Sequence, residues 1–148
     1  MPRIPALLLA FSLAAAFDSN ACSIVFPPPD TRFNDSAVVV LAAPKAISYQ
    51  PKEAKDGGYE GRFRQTVLWE VLVSWKGSHQ VGVRFTTRDW FSTSVECTSR
   101  FPVYGRNARL LYLSGREPYD DFYSFSPEYA THDFRYLETI RAASQDGT

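Results

Sequence analysis

Cysteine and histidine are scarce in this chain, two of each in 148 residues, and that scarcity narrows its chemistry. His79 and His132 are too few and too far apart for a zinc site, and each reads as a solvated loop or helix residue. No Gly-x-Ser-x-Gly elbow, phosphate-binding glycine loop or His-Glu-x-x-His pattern occurs. The doublet Asp120-Asp121 is a poor acid/base pair, because neighbours on a strand point to opposite faces; two solvated charges is the better reading. The chain therefore reads as a non-enzyme with no cofactor and no metal of its own. Charge of one sign is not in excess either, since Lys+Arg and Asp+Glu number 16 each, which removes the electrostatic reason to expect nucleic acid or an anionic membrane.

Long apolar runs are equally few. The first, "ALLLAFSLAAAF" from Ala6 to Phe17, follows a single positive charge at Arg3 and precedes small and polar residues up to Ala21. At about 12 residues it falls short of the ~20 needed to span a membrane, and it has the plan of a secretory signal peptide over residues 1–21. Ser19 and Ala21 supply the small side chains that signal peptidase accepts, so cleavage would expose Cys22. The alternative is lipidation of Cys22, although Asp18-Ser19-Asn20 fits a lipoprotein signal poorly. No second segment of that length follows, so residues 22–148 are expected to form one domain without a transmembrane segment, secreted or held in the periplasm or cell envelope.

Export would place both thiols where pairing is favoured. Two cysteines permit one bridge, Cys22 to Cys97, enclosing about 76 residues and stabilising by roughly 4 kcal/mol in the chain-entropy account. Two unpaired buried thiols is the alternative.

Aromatics and β-branched residues are plentiful. "FPPPD", Phe26 to Asp30, predicts an extended arm rather than a helix. Ser36 to Tyr49 predicts a strand buried on both faces, with a bulge or edge at Pro44. Gln50 to Gly61 reads as a loop. Arg62 to Gly77 is the longest strand, with Val67, Trp69, Val71, Val73 and Trp75 on one face. "QVGVRFTT" returns with Val81, Val83 and Phe85 together, and an irregular polar segment then carries Cys97 into the core. "ARLLYLSG" and "DFYSFS" give two further strands, and a helix is expected from about Pro127 to Ala143 with Ser126 as its cap. Five meandering strands closed by a C-terminal helix predict a mainly β fold, a five-stranded barrel of oligonucleotide/oligosaccharide-binding (OB) type or a small sandwich. Three Trp, eight Tyr and eleven Phe would fill such an interior; a stacking platform built from Trp69, Trp75, Trp90, Tyr112 and their neighbours is the weaker reading. Asn34-Asp35-Ser36 also matches the N-glycosylation pattern, relevant only in a eukaryotic secretory route.

Taken in order, these segments resemble the netrin-like domains, a family that includes the tissue inhibitors of metalloproteinases. The likeness rests on Cys22 directly after the signal, "AVVVLAAP", "VLWEVLVSWKG" ahead of "VGVRFTT", Cys97, and "YGRNARLLYLSG" after it, spanning most of Cys22 to Gly115. It implies an OB-type barrel with packed helices. It also implies a partner: a zinc metalloprotease, whose catalytic zinc would be chelated by the α-amine and carbonyl oxygen of a mature N-terminal Cys22, with Ser23 in the specificity pocket. An α-amine titrates at about 7.7–8.0, so a neutral fraction is available to a metal near pH 7. Ile24 stands where the family has a second cysteine, so only one bridge can form here. The alternative function is an extracellular or envelope interaction module that binds another protein without inhibition, in its lipidated version anchored through Cys22.

Overall fold

The computed structural model describes residues 24–53, 59–92 and 102–145. The signal-like segment, Cys22, Ser23 and Cys97 lie outside these residues, and with them the expected bridge. The protein is mainly β. Five strands, β1 (Val38–Glu53), β2 (Tyr59–Lys76), β3 (Arg84–Ser92), β4 (Arg109–Ser114) and β5 (Asp121–Phe125), make one antiparallel sheet in the order β3-β2-β1-β4-β5. Two helices, α1 (Pro29–Asp35) and α2 (Thr131–Gln145), are joined to it.

Central β1 buries both faces, as its run of β-branched residues requires. Val38, Val40 and Ala42 point to one side, where Val67, Trp69, Val71, Phe85, Leu111, Leu113 and Phe122 complete the larger cluster. Val39 points to the other, with Leu110, Tyr112, Phe125 and Leu137 beneath the helices. Trp69 and Thr87 are both closed to solvent in the first cluster, and the Trp69 indole N–H donates to Thr87 Oγ1 at 2.8 Å. That bond removes the penalty an unpaired indole N–H would carry there.

The bulge expected at Pro44 is present: Pro44 pairs with Trp69 and Ala46 with Leu68, leaving Lys45 extra. β4 pairs with β1 only as far as Ala42, so beyond it one side of β1 has no strand partner among the described residues and proline costs no ladder bond there. Pro51 sits in the same stretch, which is why β1 continues to Glu53 and β2 begins at Tyr59 where a loop was expected from Gln50 to Gly61.

Three further expectations are corrected. The "FPPPD" arm is extended only to Pro28; Pro29 opens α1 at its first position, where a missing N–H is harmless. Alternation in β2 does not hold through Trp75. Leu41 pairs with Val73 and Ala42 with Val71, so Leu72 is an extra residue and the strand changes phase: Val71 stays in the first cluster while Trp75 joins the second. In β3, Val81 and Val83 are exposed, because the chain turns there: Val83 N donates to Gln80 O at 3.0 Å and Gly82 has φ +84°. β3 instead runs from Arg84 to Ser92, into the segment expected to be irregular.

The expected C-terminal helix forms, but in two pieces. A single 3-10 turn at Pro127–Tyr129 precedes α2, and Ser126, though extended as a cap should be, makes no side-chain cap bond. Across the open edges, Tyr119 bridges to β3 in parallel: Tyr119 N donates to Thr86 O at 2.9 Å and Arg88 N to Tyr119 O at 2.7 Å. Among the described residues no other pairing closes the sheet. No helix among the described residues is long and apolar enough to cross a membrane.

Candidate functional site

The N-terminal arm does not trail from the sheet. Phe26 packs edge-on against Phe125, ring centres 5.0 Å apart, and against Tyr123 at 6.2 Å. Pro27, Pro28 and Pro29 then lead into α1 and form one wall of a cleft of about 740 Å³. The opposite wall is the end of β5 and the start of the helical segment, with Phe125, Ser126, Tyr129 and His132. Clefts of this size, apolar-walled with a few polar groups, are the usual form of small-molecule sites.

Charge lies at the floor. Arg32 of α1 is 6% exposed and Asp133 of α2 is 3% exposed, and the Arg32 Nη2 donates to Asp133 Oδ1. Tyr112 of β4 donates its hydroxyl to the same oxygen at 2.6 Å. The guanidinium also lies over the rings of Phe125, 4.7 Å away, and Tyr112, 5.4 Å away. Asp133 in the first turn of α2 meets the positive end of the helix dipole, a second reason the buried carboxylate is tolerated. Burial, then the bond to the Asp133 carboxylate, holds the Tyr112 phenol well above its ordinary value. Arg32 Nε is buried and has no hydrogen-bond partner among the described residues.

α1 has no side-chain cap bond at its start and is held at its end by its cap residue, Ser36, and by a neighbouring strand. Ser36 donates both its hydroxyl, 2.7 Å, and its amide, 3.2 Å, to Arg32 O. Lys76 at the end of β2 donates to Phe33 O at 2.6 Å and Asn34 O at 3.0 Å, placing a cation on the helix's negative end. Arg32 is thereby fixed from both sides.

At the cleft's other side stands Arg109, the first residue of β4. Its Nε donates to Ser124 Oγ at 2.7 Å and its Nη2 to Ser124 O at 3.2 Å. Among the described residues it has no ion pair. Burial pushes its guanidinium below the usual value, and the negative charge of Glu128 partly restores it. Three N–H donors of Arg109 are left without a protein acceptor in that set.

Of the expected chemistry, Cys22, Ser23 and the Cys97 partner are outside the described residues, and the arm that would carry them is anchored at Phe26. His132 lines the cleft and is exposed. His79, expected in solvent, instead sits in an aromatic group: its ring centre is 5.0 Å from that of Phe85, and its Nε2 is 3.2 Å from the Tyr119 hydroxyl. Most aromatics serve as core, Trp69, Tyr112, Phe122 and Phe125 among them, while Trp90 stays 46% exposed beneath the Arg64 guanidinium at 5.5 Å. Arg32, Arg109 and Asp133 had no signal in the sequence, because a lone charge in "DTRFND" or "THDFRY" looks like any solvated residue.

These observations define a mainly β domain: one five-stranded antiparallel sheet, a C-terminal helix, and an apolar cleft with cations at its base where the N-terminal arm docks. No protein-family model matches the chain, and no curated protein matches it.

Proposed function

We propose that this chain is an exported, non-enzymatic binding module of the netrin-like type, its strands forming a partly open OB-type barrel. The observation that carries the reading is the bridge from Thr87 of edge strand β3 to Tyr119, two residues ahead of the other edge strand, β5. Contact between the two edge strands is what closing a sheet into a barrel requires. With it go the expected strand count and a helix after the last strand.

Within this reading, the most concrete activity is inhibition of a zinc metalloprotease by Cys22, with Ser23 entering the specificity pocket. The anchored arm supports it. Phe26 follows Cys22 by four residues, so an arm fixed at Phe26 leaves little slack, and a preorganised wedge loses less entropy on docking. A Cys22–Cys97 bridge would fix the remainder. The second reading, an interaction module without inhibition, uses the same domain and needs no free α-amine.

Intact mass of the exported protein tests the first requirement: loss of residues 1–21 and a gain of about 2 Da on reduction, two hydrogens per disulfide. A large acyl increment would instead establish a lipid anchor on Cys22. Given the bridge, one alanine added ahead of Cys22 should abolish inhibition of a susceptible metalloprotease and leave thermal unfolding unchanged. Equal inhibition by the extended protein excludes chelation by the chain start, and no inhibition by either form favours the interaction module.

A further inference from the structure

We infer that the cleft between the Pro27–Pro29 arm and the start of α2 is a binding site for a small organic carboxylate with an aromatic or branched apolar body. This site is independent of whether Cys22 chelates a metal. Arg109 carries the recognition. Ser124 holds its guanidinium by two bonds, and the remaining donors of the planar fork have no acceptor among the described residues. A carboxylate matches that fork with two parallel charge-assisted bonds. At the floor, Arg32 is more than nine-tenths buried and lines the cleft, and its Nε is a donor with no acceptor among the described residues.

Charge decides the class of anion. Asp133 neutralises Arg32, so among the described lining residues Arg109 is the arginine without an ion pair, and the negative charge of Glu128 partly offsets it. With Glu128 already offsetting part of Arg109, added negative charge is opposed, so a dianion such as hydrogen phosphate meets more repulsion here than a monoanion does. Phe26, the prolines, Phe125 and the 81% exposed Tyr129 ring supply walls for an apolar body.

The test uses the full exported chain, titrated with 3-phenylpropionate, its neutral amide and inorganic phosphate, and followed by amide chemical shifts and calorimetry. Saturable binding of the acid is expected, with shifts at Ser124, Ser126, Tyr129 and His132, the amide at least tenfold weaker and phosphate showing no saturation. Arg109→Gln should bring acid and amide to equal affinity, while Tyr129→Ala, on an exposed side chain that cannot disturb folding, should weaken both alike. Equal binding of acid and amide by the unaltered protein, shifts clustered elsewhere, tighter binding of phosphate, or no saturation by any of the three would overturn the assignment. Full discrimination retained by a folded Arg109→Gln protein would overturn it as well.

Discussion

One oxygen, Asp133 Oδ1, accepts from both Arg32 and Tyr112, and the three side chains are all but closed to solvent. Desolvating two ions costs several kcal/mol each, and here the pair's attraction, two hydrogen bonds and two ring contacts oppose that cost. Removing one member therefore hurts more than removing all. Asp133→Asn should lower unfolding free energy by about 3–5 kcal/mol, since a buried cation loses its counter-charge. The combined apolar replacement Arg32→Met, Asp133→Leu, Tyr112→Phe should cost less than that single change; urea unfolding of both proteins decides it. Tyr112 also makes stability pH-dependent. Its folded value is raised above the ordinary ~10, so its contribution is complete below pH 10; above that the unfolded phenol ionises while the folded one does not, and stability falls. Unfolding curves between pH 8 and 11 should show a loss approaching about 1.4 kcal/mol per unit, smaller by one titrating group in Tyr112→Phe.

Elements here are joined by side chains standing in for backbone. The Gln65 amide, 3% exposed, donates to Val103 O at 2.9 Å and accepts from Val103 N at 2.8 Å, the pair of bonds that a neighbouring strand would supply. It ties the segment before β4 to the middle of β2. Gln65→Leu keeps the volume and removes both bonds, leaving the buried Val103 N–H unpaired at about 1–3 kcal/mol and Val103 O with the longer bond from the Tyr49 hydroxyl at 3.3 Å. Hydrogen exchange at the Val103 amide should accelerate at least tenfold while Leu111 and Leu113 in β4 stay protected; unchanged exchange at Val103 would show that the segment is held otherwise. The ends of elements are as specific. At Gly77, φ is +91° and an added Cβ would lie 2.7 Å from both Ala37 O and Val38 Cγ2, so the turn after β2 fits against β1 only without a side chain. Sequence showed β2 but neither the close approach at its end nor its change of face. Alternation is a local signal, and a bulge such as Leu72 is set by which residues the partner strand offers.

For the whole molecule, α2 does more than close the chain. Leu137 covers Val39, Leu110 and Tyr112 on the second face of the sheet, and Asp133 neutralises Arg32 of α1. A chain ending at residue 130 should therefore lose cooperative unfolding and bind a hydrophobic dye; a sharp, dye-free transition would show that the sheet stands alone. The cleft belongs to the same scale, since its walls come from the arm, β4, β5 and α2.

Read alone, the sequence determined the five strands, the terminal helix, the bulge at Pro44 and the scarcity of cysteine and histidine, because these follow from local periodicity, backbone restriction and composition. The tertiary structure decided the phase of β2, the turn that exposes Val81 and Val83, the start of α1 at Pro29, and the meeting of Arg32, Tyr112, Asp133 and Arg109 around one cleft. Arg32 and Asp133 are 101 positions apart in sequence, and only strand order and helix packing bring two such charges within hydrogen-bonding reach and out of water.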